Sequence, residues 1–141
     1  NFSVVAVSLK KKAALCMWRD HVWLVVGPGN YSVAYPAYQI NNWNDPLGHA
    51  HNIYLNFAAE AGLVGLLAYL VFWLTSFWQA ARAAWSHQSL TVAVGAGVLG
   101  ALTLATIHNL FDNLWVQHIY LLLALLLGVL VVLASPKAQH E

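Results

Sequence analysis

Charge is what this sequence has least of. Asp, Glu, Lys and Arg make up 8% of its 141 residues, where a soluble domain keeps about a quarter of its residues charged to wet its surface. A chain with so little charge must present apolar surface, and the solvent that accepts such a surface is lipid. The net charge is only +1, which offers no electrostatic footprint for nucleic acid. The one cysteine, Cys16, excludes an internal disulfide and reads as a small apolar filler. Apolar–polar alternation is missing over any long stretch, which argues against a membrane β-barrel. Positive charge ahead of the first apolar run is missing too. Residues 2–9 are apolar, but Lys10, Lys11 and Lys12 follow them, so the run does not read as a signal peptide, and it is too short to span a bilayer. The chain opens Asn1-Phe2-Ser3 without an initiator Met and reads as the tail of a longer protein.

What is abundant is apolar and aromatic. Hydrophobic residues make up 60% of the chain, with seven Trp and six Tyr, rings that favour the membrane–water interface. Three apolar stretches follow one another: residues 53–78, broken by Asn56 and Glu60; 90–111, without formal charge; and 119–134, nearly all Leu, Val and Ala. A bilayer core needs about 20 apolar residues in a helix; the third stretch reaches that only with Trp115, Gln117 and His118 as interfacial flanks. The expected fold class is all-α: a multi-pass transmembrane bundle fragment of about three membrane helices. Residues 1–141 read as one partial membrane domain, with an atypical N-terminus over 1–19, an outward loop over 20–52 and the helices over 53–141. A short amphipathic helix is expected over 13–26, with Trp18 and Trp23 at the interface. Arg82 and Lys137 mark the inner side, so the loop before Ile53 and the Asp112 connection face outward. That loop carries the breaker cluster Gly27-Pro28-Gly29-Asn30-Tyr31, then Pro36, the run from Asn41 to Asp45, Pro46 and Gly48. Its rings Tyr31, Tyr35, Tyr38, Trp43 and Tyr54 argue against disorder, and ordered long loops are usually functional.

The most informative stretch runs from Gly48 through His49, His51, Asn52, Asn56 and Glu60 to Gly62 and Gly65. Two His sit where the loop enters a membrane helix. Asn52, Asn56 and Glu60 are four residues apart and share one helical face. Polar groups at membrane depth must be satisfied, so this face looks into the bundle or a wet cavity; a polar helix–helix contact would serve equally. His49, His51, His108 and Asp112 could also be drawn together as metal ligands, His108 and Asp112 being four apart, or His108 and Asp112 could pair to orient the polar face. Gly95-Ala96-Gly97-Val98-Leu99-Gly100 fits a dinucleotide-binding pattern. That pattern has meaning only between a strand and a helix, and inside a membrane span its small residues read as packing.

The His51-Asn52 pair, followed by nine residues, Gly62, two residues and Gly65, resembles the signature of the O-antigen ligase family. Gly27-Pro28-Gly29-Asn30-Tyr31 with Tyr35-Pro36 is similar to the loop before that signature. His108-Asn109-Leu110-Phe111-Asp112-Asn113 is similar to the family's second outward helix end. The resemblance covers about Asp20 to Leu133, the last third of a family member, and leaves the first 16 residues unlike the family. It implies a multi-pass inner-membrane enzyme with the His51 loop on the periplasmic side. Such an enzyme moves a glycan from an undecaprenyl-diphosphate carrier to the hydroxyl of a glycan or glycolipid acceptor. No nucleotide sugar, cofactor or metal is implied, and the partners are those two substrates and the lipid bilayer. His51 matches the general-base position, and a base of near-neutral pKa suits a sugar hydroxyl. Arg19, His49, Asn52, Glu60, His108 and Asp112 are the expected substrate-binding set. The family's outer-loop Arg, several residues before a Trp, has no counterpart here, since Ala13, Ala14 and Leu15 precede Trp18. Arg19 follows that Trp, and Lys12 is a weaker substitute. The rival reading is a non-catalytic membrane fragment or accessory subunit.

Overall fold

A computed structural model describes residues 2–23, 27–40, 48–113 and 118–135. The described chain is all-helical: α1 (Phe2–Asp20), α2 (Tyr31–Tyr38), α3 (Ile53–Ala84), α4 (Ser89–Phe111) and α5 (Ile119–Leu133). Trp43, Asp45, Pro46, Trp115, Gln117 and Lys137, on which parts of the sequence reading rest, lie outside the described residues.

Two helices are long and apolar enough to cross a membrane, α3 with 32 residues and α4 with 23. Only 28% of the most apolar window of each is buried within the chain, whereas a core helix of a soluble protein would be mostly covered. Leu74, Leu104 and Phe111 stand open on them, as lipid-facing side chains do. The third expected span is the shorter apolar helix. The helix α5 has 15 residues, about 22 Å at 1.5 Å per residue, short of a hydrocarbon core of about 30 Å.

The N-terminal region also departs from expectation. The helix placed over 13–26 instead runs from Phe2 to Asp20, taking in the apolar run and all three lysines. Lys, Ala and Leu are strong helix formers, so the charges do not interrupt it. It closes with the His21 N–H on the Trp18 carbonyl at 3.2 Å, before Val26. The loop over 20–52 is not wholly irregular, because Tyr31–Tyr38 is helical. Tyr31 and Tyr35 lie four apart on one face and pack with Ala13, Ala14 and Met17 of α1 and with Ala50 and Ala59. The small alanines let the rings approach, and this packing outweighs Pro36 within the helix.

The chain divides into two compact units. Residues 1–70 with 108–113 form the first, and 71–107 with 114–141 the second. In the second, the Trp73 indole N–H donates to the Thr106 hydroxyl at 2.7 Å. A Cβ added to Gly95 would come within 2.5 Å of the Ala84 nitrogen, so this glycine permits close helix approach, while Gly97 and Gly100 face open space. The dinucleotide-like pattern lies inside α4, so packing accounts for only one of its glycines.

Candidate functional site

The site belongs to the first unit and begins with a break. Gly62 has φ 65° and ψ −166° inside α3, a conformation open almost only to glycine. The break frees backbone groups, and the chain before α2 takes them up. The Leu63 N–H donates to the Val22 carbonyl at 2.8 Å, and the Gly27 N–H donates to the Glu60 carbonyl at 3.0 Å. Gly65 is required as well, because a Cβ there would collide with that of Ala61. Both glycines of the spaced signature thus have a steric reason.

Glu60 secures the same loop with its side chain. One carboxylate oxygen accepts the Gly29 N–H and the other the Tyr31 N–H, each at 3.0 Å. A carboxylate at the start of α2 satisfies orphan donors and favours the helix dipole. Gly27 and Gly29 have φ 94° and 79°, which lets the loop point its N–H groups this way. Burial, with Tyr35 and Glu60 adding to it, raises the Tyr31 phenol above its usual pKa. The protonated phenol donates to the Lys10 carbonyl at 2.9 Å and ties α2 to α1.

The entry to α3 is held from both sides. The Asn52 amide oxygen accepts the Leu55 N–H at 2.9 Å, capping the helix. Its amide nitrogen donates to the Leu110 carbonyl at 2.9 Å, one of the orphan acceptors ending α4. Asn56, buried, accepts the Ala50 N–H at 3.1 Å. The polar stripe of Asn52, Asn56 and Glu60 therefore faces protein, and the described bonds of all three go to backbone.

His51 sits at the turn with φ 49°, an uncommon conformation for a residue with a side chain. Its N–H donates to Nδ1 of His49 at 3.3 Å, and the two rings meet edge to face with centroids 4.4 Å apart. Its own Nδ1 lies 2.9 Å from Oδ1 of Asp112. The His51 side chain is 16% exposed and that of Asp112 50%. Burial pushes the Asp112 carboxyl up, but the Asn113 N–H and the His51 ring outweigh it, with His49 adding, and hold it below its ordinary 3.8. The carboxylate stays ionised, so the proton between the pair belongs on Nδ1 of His51. That leaves Nε2 as the basic nitrogen.

His49, His51 and Asp112 each offer one ligand atom, all within 4.8 Å of one another, and these three could hold a metal ion. His108 is not among them. Its side chain is exposed on α4, and only its carbonyl takes part, accepting the Asp112 N–H at 2.9 Å. The carboxylate pairs with His51 rather than with His108, four residues earlier. Arg19 is exposed at the end of α1 and has no described bond to the site. The cation brought to the site is one the sequence reading passed over. Lys11 Nζ donates to the Leu110 carbonyl at 3.3 Å, the same oxygen that Asn52 engages. A helix over 13–26 left Lys11 outside any element; successive side chains of a longer helix point about 100° apart, so one of three lysines can turn toward the site.

The O-antigen ligase family model matches residues 11–70. That segment is similar to the O-antigen ligase family. No curated protein and no solved structure matches the chain. The O-antigen ligase match begins at Lys11, well before Asp20, so the N-terminal region is less foreign to the family than the sequence suggested. It ends at Leu70, so His108 and Asp112 lie beyond it, and folding alone delivers Asp112 to the signature histidine. Together with α3 and α4, which are long and apolar enough to cross a bilayer, this similarity supports a membrane protein.

Proposed function

We propose that the site transfers a glycan from an undecaprenyl-diphosphate carrier to an acceptor hydroxyl, with His51 as general base and Asp112 as its positioning partner. The observation that carries this reading is the 2.9 Å contact between Asp112 and Nδ1 of His51, a histidine that lies within the segment matched to the O-antigen ligase family. Asp112 holds the ring in the tautomer whose Nε2 can take a proton and stabilises the imidazolium that results. The acceptor O–H gives its proton to Nε2, and its oxygen bonds to the anomeric carbon. The bond from that carbon to the diphosphate oxygen breaks, and the undecaprenyl diphosphate leaves with the electron pair.

Lys11 is half-buried and uses one described bond, which leaves two of its three donors for the diphosphate. Arg19 and His49 are the further candidates for that charge. Asn52 and Glu60 act through the scaffold, since their described bonds go to backbone. The inner-membrane location and a periplasmic His51 loop are part of the same reading.

The test is glycan transfer in membranes holding the natural full-length protein. His51→Ala should lower turnover by about 10²–10⁴-fold at unchanged protein level, and His49→Ala should do less. Transfer near wild type in His51→Ala rules out the base role. Loss of transfer together with loss of protein assigns His51 to the loop–helix junction instead.

A further inference from the structure

The second unit carries an open groove of about 400 Å³ where α3 ends, lined by Gln79, Arg82, Ser86 and Thr91 on one side and by Val131 and Ala134 on the other. Gln79 and Arg82 are three residues apart in α3 and share one face, and Ser86 follows just past the helix end. All three can donate hydrogen bonds. The Arg82 guanidinium and the Gln79 amide have no bond among the described residues. Arg82 brings five N–H donors in a planar fork that fits phosphate oxygens in pairs. Ser86 Oγ accepts the Gln88 N–H at 3.2 Å, so its own O–H remains to donate. Thr91, buried, gives its hydroxyl to the Gln88 side-chain oxygen at 3.2 Å, which holds Gln88, and through it Ser86, in place.

Among the described residues, no carboxylate lines the groove. The opposite wall is apolar. Trp78 and Trp85 flank Arg82 in sequence and are 66% and 80% exposed, as aromatic side chains at headgroup depth are. A guanidinium fork with no bonded partner among the described residues, facing an apolar wall at the end of a membrane helix, suits an anion that carries hydrocarbon. A free phosphate would use the donors and leave the wall idle.

We propose that this groove binds the phosphodiester headgroup of an anionic membrane phospholipid, with Arg82 as the principal contact and Val131 and Ala134 against the first part of an acyl chain. The site is separate from His51, and its test does not depend on glycan transfer. Purified protein in detergent micelles is titrated with phosphatidylglycerol or phosphatidylcholine, and bound lipid is counted by native mass spectrometry. Phosphatidylglycerol should bind in preference, and Arg82→Gln should lower its occupancy by about fivefold, the worth of roughly 1 kcal/mol for one Arg at a membrane surface. Arg82→Lys should retain part of the binding. If Arg82→Gln does not insert, the double variant Gln79→Leu, Ser86→Ala should show a loss in the same direction. Equal binding of the two lipids, or unchanged occupancy in these variants, overturns the proposal. So does glycerol phosphate displacing phosphatidylglycerol at equal concentration, which would assign the donors to a free phosphate.

Discussion

His51 is held in a backbone conformation that side chains seldom adopt, with φ 49°, and is bonded on both sides, by its N–H to His49 and by Nδ1 to Asp112. Such strain, of the order of 1–3 kcal/mol, persists only where surrounding bonds over-determine it. The carboxylate is therefore the residue whose removal is most informative. Asp112→Asn keeps the shape but removes the charge that selects the Nδ1–H tautomer, and turnover in the full-length protein should fall by about 10²-fold or more. The drop should appear in kcat with KM held, and a change confined to KM would make Asp112 a substrate contact instead. The pH dependence of stability follows from the same pair. The Asp112 carboxyl is held below its ordinary 3.8, so the folded form binds its proton less readily than the unfolded chain. Its stabilising contribution is complete above the ordinary value and is lost as pH falls through the lowered one. Thermal unfolding in detergent should show this acid-side loss in the wild type and a smaller one in Asp112→Asn.

At the scale of elements, the break in α3 organises the site. Gly62 leaves the helix, its neighbours' backbone groups bond to Val22 and Gly27, and Glu60 anchors the start of α2. Gly62→Ala must either straighten the helix, orphaning those partners, or adopt a conformation costing about 1–3 kcal/mol. A drop in melting temperature is expected, and an unchanged one would mean that the break is dispensable. Glu60→Gln keeps one acceptor oxygen and loses the charge at the α2 terminus. It should destabilise by about 1–2 kcal/mol, read by denaturant or thermal unfolding, while Glu60→Asp, too short to reach both N–H groups, should be no better.

At the scale of the whole molecule, the apolar runs and the lack of charge make α3 and α4 long and apolar enough to cross a membrane. If α3 crosses the bilayer, cysteines placed at Asn30 and at His87 should react with an impermeant label from opposite sides, and labelling of both from one side would refute the crossing. Helical class, the two long helices and the spaced signature were legible in the sequence because each depends on local pattern: runs of apolar side chains, the His51-Asn52 pair, glycines at Gly62 and Gly65. The extent of α1 was missed because three adjacent lysines look like a boundary, although they are good helix formers and Lys10 is buried. The α2 helix was missed because Pro36 and the glycines before it suggest loop, whereas its stability comes from tyrosines packed on the alanines of α1. The sequence by itself therefore determined that this protein is helical, apolar and similar to the O-antigen ligase family around His51. Only the tertiary structure decided which partner each polar side chain takes. Asp112 joins His51 across 61 residues and Lys11 reaches Leu110 across 99, because burying a polar group favours whichever partner the folded chain brings within hydrogen-bonding distance, and no local pattern records that meeting.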